Sequence, residues 1–140
     1  NQRQEEITTG GGTAALFTYP EKIYKEDSTM VHFFHSNIAQ KYGVNAAVLA
    51  DFIWDCIEEK GARQPQLHEG KVWFRCSVQM LTGFFPFLSY DEIRYALKQL
   101  VKGRVLIKGR FNESRFDRTN WYAFTGFGQF LMTESEADLQ

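Results

Sequence analysis

The chain has 140 residues, of which 44% are hydrophobic and 24% are charged, and its formal net charge at pH 7 is −1. This length and composition suit one domain with one hydrophobic core and terminal extensions. No apolar run approaches the roughly 18 residues that a membrane-spanning helix needs, so we expect a cytoplasmic protein without a membrane partner. The sequence begins without Met and shows no signal-peptide pattern, so we also expect a trimmed chain.

The small net charge conceals a segregation of charge along the chain. Residues 1–70 contain 6 basic and 10 acidic side chains, whereas residues 71–124 contain 10 basic and 4 acidic ones. Residues 125–140 contain 3 acidic side chains and no basic one. A basic segment inside a nearly neutral chain is typical of a surface that binds phosphate groups.

The residue types that usually carry catalysis or bind metals lack the necessary spacing. Cys56 and Cys76 have no CxxC pattern and lie among apolar neighbours, which indicates reduced core residues, although a disulfide stays possible. His32, His35 and His68 are scattered. Because the sequence also has no glycine-rich phosphate loop and no Ser/His/Asp arrangement, we expect no metal, no cofactor and no enzymatic activity.

The first 30 residues are predicted to form a flexible arm. Residues 1–13 have few large apolar side chains and include the triple glycine Gly10–Gly12, a composition that favours flexibility. Residues 14–25 have aromatic side chains around Pro20 and suit a short extended or irregular segment.

Two helices are predicted next, and they meet at Gly43. The first helix begins near Val31, with Phe34, Ile38 and Tyr42 on one face. Asn45 is predicted to cap the second helix, which continues to about Lys60. Its apolar side consists of Val48, Leu49, Phe52, Ile53 and Cys56.

A short strand and a short helix follow a loop. The strand is predicted at 71–75, after Gly70, and the helix is predicted from a Ser77 cap through Thr82. The aromatic segment 84–88 then makes a turn into the next helix.

The helix at residues 89–102 has the clearest signals in the chain. Ser89 and Glu92 have the spacing of a capping box. Gly103 is predicted to end the helix in the left-handed conformation. The predicted core face consists of Ile93, Ala96, Leu97, Leu100 and Val101.

A β-hairpin is predicted directly after this helix. Its strands are 105–111 and 120–124, its tip is the polar segment 112–119, and the strand at 71–75 is a plausible third partner. Residues 125–132 are predicted as a last helix, and residues 133–140 as an acidic disordered tail or the start of a linker.

The order of these elements predicts an α+β fold, mostly helical, with a small antiparallel sheet of two or three strands. Two helices about a turn apart, followed by a hairpin, indicate a winged helix-turn-helix domain over residues 31–132. In that arrangement the second helix can enter the major groove of DNA while the wing, residues 108–118, contacts phosphates or the minor groove.

Eight side chains of the helix and the wing are candidate DNA contacts. They are Tyr90, Arg94, Lys98, Lys102, Lys108, Arg110, Arg115 and Arg118. Each has a structural alternative: the cations can form a solvated face, and Tyr90 can pack as a staple at the helix start. Asp117 and Arg118 can instead pin the wing, with the Asp117 carboxylate accepting backbone N–H bonds at the turn.

The segment 37–124 resembles the N-terminal winged-helix domain of phage and plasmid replication proteins, the replisome organisers related to DnaD-type primosome loaders. The similar stretches are KYGVNAAVLADFIWDCIEEKG (41–61), residues 69–112 and FDRTNWYAF (116–124), of which the last is the most specific. The similarity does not extend to the N-terminal arm. It implies origin binding or replisome assembly, with helicase-loading machinery recruited by a second region that this chain does not contain.

Three functions are therefore expected or left open. The first is duplex DNA binding in replication initiation. The second is an oligomerisation or partner-docking module, in which the apolar arm at residues 14–24 packs against a second copy. The third is a transcription regulator, which would share the same domain.

Overall fold

The computed structural model describes residues 2–8, 14–20, 31–60 and 67–138, with the side chains of residues 31–58 and 67–134. These residues form an α+β fold with small antiparallel sheets. The helices are α1 (Ser36–Tyr42), α2 (Val44–Lys60), α3 (Val78–Phe84), α4 (Tyr90–Lys102) and α5 (Gly126–Asp138). The strands are β1 (Gln2–Thr8), β2 (Ala14–Pro20), β3 (Leu67–His68), β4 (Lys71–Val72), β5 (Phe74–Arg75), β6 (Leu106–Gly109) and β7 (Trp121–Phe124).

The strands of the described residues form three small sheets. β1 pairs with β2, β3 pairs with β4, and the third sheet has the order β5-β7-β6 with antiparallel pairing throughout. In the third sheet Tyr122 of β7 lies between Phe74 on one side and Lys108 on the other. The predicted three-stranded sheet is therefore present, with the last strand of the chain at its centre.

The main core lies around α2, which packs against α1, α4 and β5. Leu49 and Ile53 of α2 are completely buried, as are Ile93 and Leu100 of α4 and Leu81 of α3. These side chains lie at helical spacing on the faces that the apolar pattern predicts. Burial of this surface holds α3 and α4 in fixed positions and leaves the opposite face of α4 to solvent.

A second, smaller cluster lies beside the β6–β7 hairpin. It contains the buried residues Trp73, Trp121 and Ala123, with Ile107 and Phe111 packed against it. The indole N–H of Trp73 donates to the His68 carbonyl oxygen at 2.9 Å. Trp73 also separates β4 from β5, so the predicted strand at 71–75 is divided between two sheets.

The predicted caps of α3 and α4 are confirmed. The Ser77 hydroxyl accepts the Met80 N–H at 3.0 Å, and α3 continues two residues beyond the predicted Thr82. At α4, Ser89 Oγ accepts the Glu92 N–H at 3.1 Å, while the Glu92 carboxylate accepts the Ser89 N–H at 2.8 Å. Two of the backbone N–H groups that lack an intrahelical partner at the start of α4 are thereby satisfied.

The start of the predicted first helix is wrong. α1 begins at Ser36, so Val31 and Phe34 precede it, and Phe34 is 46% exposed. The next helix starts at Val44, directly after Gly43, so Asn45 lies inside its first turn instead of capping it. Gly43 has a φ of 94°, a conformation that favours glycine and separates the two helices.

The predicted left-handed conformation of Gly103 is also wrong. Gly103 has φ −79°, and the positive φ of 62° belongs to Arg104 instead. A Cβ at position 103 would collide with the ring of Tyr42. The absence of a side chain at position 103 lets the Tyr42 ring of α1 approach the end of α4 closely.

Both chain ends contain more regular structure than their composition predicts. β1 and β2 form a hairpin in which Thr8 pairs with Ala14. Residues 14–20 are thus extended, one of the two conformations expected for that segment, whereas a strand at residues 2–8 was not predicted. The glycines between them lie outside the described residues. α5 extends through Asp138, so the predicted acidic tail is helical as far as that residue. No helix in the described ranges is long and apolar enough to cross a membrane.

Candidate nucleic-acid interface

The outer face of α4 displays a row of polar and cationic side chains. The buried side chains of α4 are Ile93, Ala96, Leu97 and Leu100, which turn one face of the helix to the core. Arg94, Lys98 and Lys102 are exposed, and Tyr90 is 50% exposed. Half of the Tyr90 side chain is therefore accessible to a ligand, as are the three cations.

Arg94 forms only a long, exposed ion pair with a neighbouring acidic residue. Its Nη2 lies 3.6 Å from Asp91 Oδ1, and both side chains are largely exposed. An exposed pair of this kind contributes about 0–1 kcal/mol, so its breakage costs little. Glu92, the second acidic residue of this turn, is held in the capping box. The guanidinium of Arg94 is thus available to another anion.

The loop at residues 110–120, which we call the hairpin loop, connects β6 to β7 and carries further cations. Lys108 at the end of β6 is exposed, and so are Arg110, Arg115 and Arg118. Arg110 Nε donates to the side-chain oxygen of Asn120 at 3.2 Å, which fixes Arg110 at the base of the loop.

A buried ion pair anchors the hairpin loop to β5. Arg75 Nη2 of β5 donates to Asp117 Oδ2 at 2.6 Å, and the two side chains are 5% and 4% exposed. Two charges in a poorly solvated place are tolerated only when they pair and make further hydrogen bonds. Asp117 meets this requirement, because its other oxygen accepts the Thr119 backbone N–H at 3.0 Å and the Thr119 hydroxyl at 2.7 Å.

Asn112 ties the two sides of the hairpin loop together. Its Nδ2 donates to the carbonyl oxygens of Asp117 and Thr119, both at 2.9 Å. Its Oδ1 accepts from Arg75 Nε at 3.1 Å and from the Trp121 indole N–H at 2.7 Å. Because both polar atoms of the Asn112 amide are hydrogen-bonded, the base of the loop is a fixed platform.

The pKa of Asp117 is set by its burial and by its contacts with Thr119 and Arg75. Burial acts to raise it, but the hydrogen bonds from Thr119, the hydrogen bond from Arg75 and the Arg75 charge together hold the pKa of Asp117 below its ordinary value. The carboxylate is therefore charged at neutral pH and neutralises Arg75. Arg75 serves the structure of the loop, whereas the exposed cations are left for a ligand.

The predicted pinning role of Asp117 is confirmed by its bonds to Thr119. Its principal partner, Arg75, and the bridging Asn112 were not predicted. The sequence contains a signal for Arg75, because it stands inside the apolar run WFRC, where a charged side chain needs a buried partner. Arg104, an exposed cation in the turn between α4 and β6, was also missed.

The histidines and cysteines lie in separate places. The His32 ring stacks on Phe85 at 4.4 Å, His35 Nδ1 lies 3.0 Å from Asp51 Oδ1, and His68 stacks on Phe111 at 4.2 Å. Cys56 and Cys76 are both buried thiols. Among the residues that the structure describes, no group of three or more His, Cys, Asp or Glu side chains could hold a metal ion.

Comparison with known proteins adds no relative. A scan against protein-family models, a search of curated proteins and a search of solved structures each return no significant match.

Proposed function

We propose that this chain is the DNA-binding winged-helix domain of a phage-type replication initiation protein, a replisome organiser. In this proposal α4 is the recognition helix and residues 108–118 form the wing. The observation that carries it is the contrast between two kinds of cation in one region. Arg75 is buried with its own counter-ion, whereas seven cations on α4 and the hairpin are exposed. These are Arg94, Lys98, Lys102, Lys108, Arg110, Arg115 and Arg118.

The helix α4 is suited to read bases. It is 13 residues long, its core face is apolar, and it follows α3 after a short connection at residues 85–89. An exposed arginine on such a helix can form two hydrogen bonds to a guanine edge in the major groove. We therefore assign base contact to Arg94 and contact with bases or phosphates to Lys98.

The hairpin loop is suited to hold the DNA backbone. Its cations stand on a platform fixed by Asn112 and Asp117, so little backbone entropy is lost when phosphates bind. Phosphate contacts position a protein on DNA without reading its sequence. We assign this role to Lys108, Arg110, Arg115 and Arg118.

The part in replication comes from the resemblance of residues 37–124 to the replisome-organiser domains. A transcription regulator would use the same helix and wing on a different DNA site. Recruitment of helicase-loading machinery would belong to a region outside this chain.

Alanine variants of Arg94 and Arg115 test the two roles separately. The DNA ligands are a duplex selected from a random pool with the wild-type protein and a duplex of random sequence. Arg94→Ala should reduce the preference for the selected duplex by about 1–3 kcal/mol, because one bidentate base contact is lost. Arg115→Ala should weaken binding to both duplexes equally and lower the salt slope by about one unit.

Lys41→Ala is the matched control, since Lys41 is an exposed cation of α1 that lies 5.5 Å from the Phe127 ring. It should change neither affinity nor preference. If Arg115→Ala alone removes the sequence preference, α4 is not the reading element. If Arg94→Ala binds like the wild type on both duplexes, its side chain is only a solvated cation.

A further inference from the structure

Phe116 is an exposed aromatic side chain beside the cations of the hairpin loop. It lies at the tip of the hairpin loop and is 70% exposed, although an aromatic side chain normally contributes to stability by burial. The smaller cluster beneath the hairpin holds Phe111, Trp73 and Trp121 instead. Phe116 therefore adds little to the fold and is accessible to a ligand.

The backbone around Phe116 is held on both sides. The Phe116 N–H donates to Ser114 Oγ at 3.2 Å, and the Asp117 N–H donates to the Ser114 carbonyl oxygen at 3.1 Å. Asp117 is itself fixed by the buried ion pair with Arg75. The ring is thus projected to solvent from a rigid support, and ordering it on a ligand costs little entropy.

The neighbours of Phe116 indicate which ligand would suit it. The Arg115 guanidinium lies 5.2 Å from the centre of the ring, and Arg118 is exposed two residues further on. An aromatic face beside cations matches a nucleobase beside its phosphates. Exposed apolar side chains of this kind also insert between base pairs from the minor groove and kink the duplex.

We propose that Phe116 stacks on a nucleobase and so makes the hairpin loop a base-contacting wedge as well as a phosphate clamp. This inference rests on the proposed DNA-binding function. The base has two possible sources, a base step opened in duplex DNA or an unpaired base in a single strand. Arg115 and Arg118 would then hold the phosphates next to the stacked base.

The test compares Phe116→Ala and Phe116→Leu with the wild type on duplex and single-stranded DNA of the same sequence. Phe116→Ala should weaken binding by about 5- to 150-fold on at least one ligand, because a base-aromatic stack is lost. The salt slope should stay unchanged, since Phe116 neutralises no phosphate. Phe130→Ala is the matched control, because Phe130 is 56% exposed but lies on α5, outside the basic region.

The leucine variant separates the two sources of the base. A wedge in duplex DNA needs only apolar bulk, so Phe116→Leu should keep both the affinity and the DNA bend measured by end-to-end energy transfer, while Phe116→Ala loses both. Stacking on an unpaired base needs the ring, so both variants should then lose affinity for the single strand. Either result supports the inference.

Two outcomes overturn it, and they can be told apart. If the wild type binds DNA and Phe116→Ala binds both ligands as tightly, the base contact is wrong while the proposed function stands. If the wild type binds neither ligand at low salt, the proposed function fails and this inference fails with it.

Discussion

The Arg75–Asp117 pair decides the shape of the hairpin loop. It joins β5 to a loop that lies 42 residues further along the chain, and both side chains are buried. Removal of one partner from such a pair leaves an uncompensated buried charge. We therefore expect the pair to matter more for stability than any exposed cation of the candidate interface.

Replacement of Asp117 by Asn should destabilise the protein by about 3–5 kcal/mol at pH 7, because Arg75 loses its counter-ion. The pKa of Asp117 is lowered by folding, so its contribution is complete above the unfolded pKa of about 3.9 and is lost as the pH falls through the folded pKa. The difference between wild type and Asp117→Asn in the free energy of unfolding should therefore shrink below about pH 4. Urea denaturation between pH 7 and pH 3 measures it.

Glu113→Gln is the control for Asp117→Asn, since Glu113 is an exposed carboxylate of the same loop. This variant should unfold like the wild type at pH 7. A difference for Asp117→Asn that stays constant down to pH 3 would show that the charge of Asp117 does not stabilise the loop.

Short-range features of single residues could be predicted from the sequence, whereas long-range partners could not. The hydrogen bond from the Thr119 N–H to the Asp117 carboxylate spans only two residues. It could be predicted because Asp side chains in turns commonly accept the backbone N–H two residues further on. The choice of Arg75 as its partner depends on how the sheet brings β5 next to β7. A single sequence contains no direct signal for that pairing.

In helix α4, the local signals for its start and end were predicted, whereas a long-range contact at its end was not. Its start was predicted because the capping box lies within four consecutive residues. Its end at Lys102 was also predicted, but the contact of Tyr42 with Gly103 was not, because the Tyr42 hydroxyl lies 3.4 Å from the Gly103 carbonyl oxygen and 61 residues away in the chain. Gly103 follows the helix as predicted, whereas the left-handed conformation belongs to Arg104.

The substitution Gly103→Ala should destabilise the protein by about 1–3 kcal/mol, because the new methyl group would displace the Tyr42 ring. Gly83→Ala is the matched substitution in α3, where a Cβ would meet no atom within 4 Å. It should stabilise the protein by about 0.5–1 kcal/mol, since alanine is the better helix former. Thermal or urea denaturation of both variants gives the comparison.

Equal effects of the two glycine substitutions would contradict this explanation. If both variants are stabilised, Tyr42 can move aside without cost and the contact between α1 and α4 is loose. If both are destabilised to the same extent, the cost at position 103 is that of any added methyl group and not of a contact with Tyr42.

For the whole molecule, the α+β class and the three-stranded sheet were predicted from apolar periodicity. The prediction succeeded for α4, whose apolar and polar faces are clearly separated, and for the buried side of α2. It was right in part at residues 71–75, where β5 joins the hairpin as expected but Trp73 belongs to the smaller cluster and divides the predicted strand in two. An extended segment was one of the two conformations expected for the residues of β2, but β1 and its pairing with β2 were not predicted.

The charge segregation is the whole-molecule feature on which the proposed function depends. Exposure of the cations on α4 and the hairpin agrees with a phosphate-binding surface, but only the response to salt measures whether phosphates are bound. Each phosphate contact releases counter-ions from DNA, so log K falls by about 0.9 per contact for each tenfold rise in salt concentration.

The most direct test is therefore the affinity of the wild-type protein for duplex DNA as a function of salt concentration. With about four to six phosphate contacts, affinity should fall roughly 100- to 1,000-fold between 50 and 200 mM salt. An affinity that does not change with salt, or the absence of binding at 50 mM salt, would contradict the claim that α4 and the hairpin bind DNA.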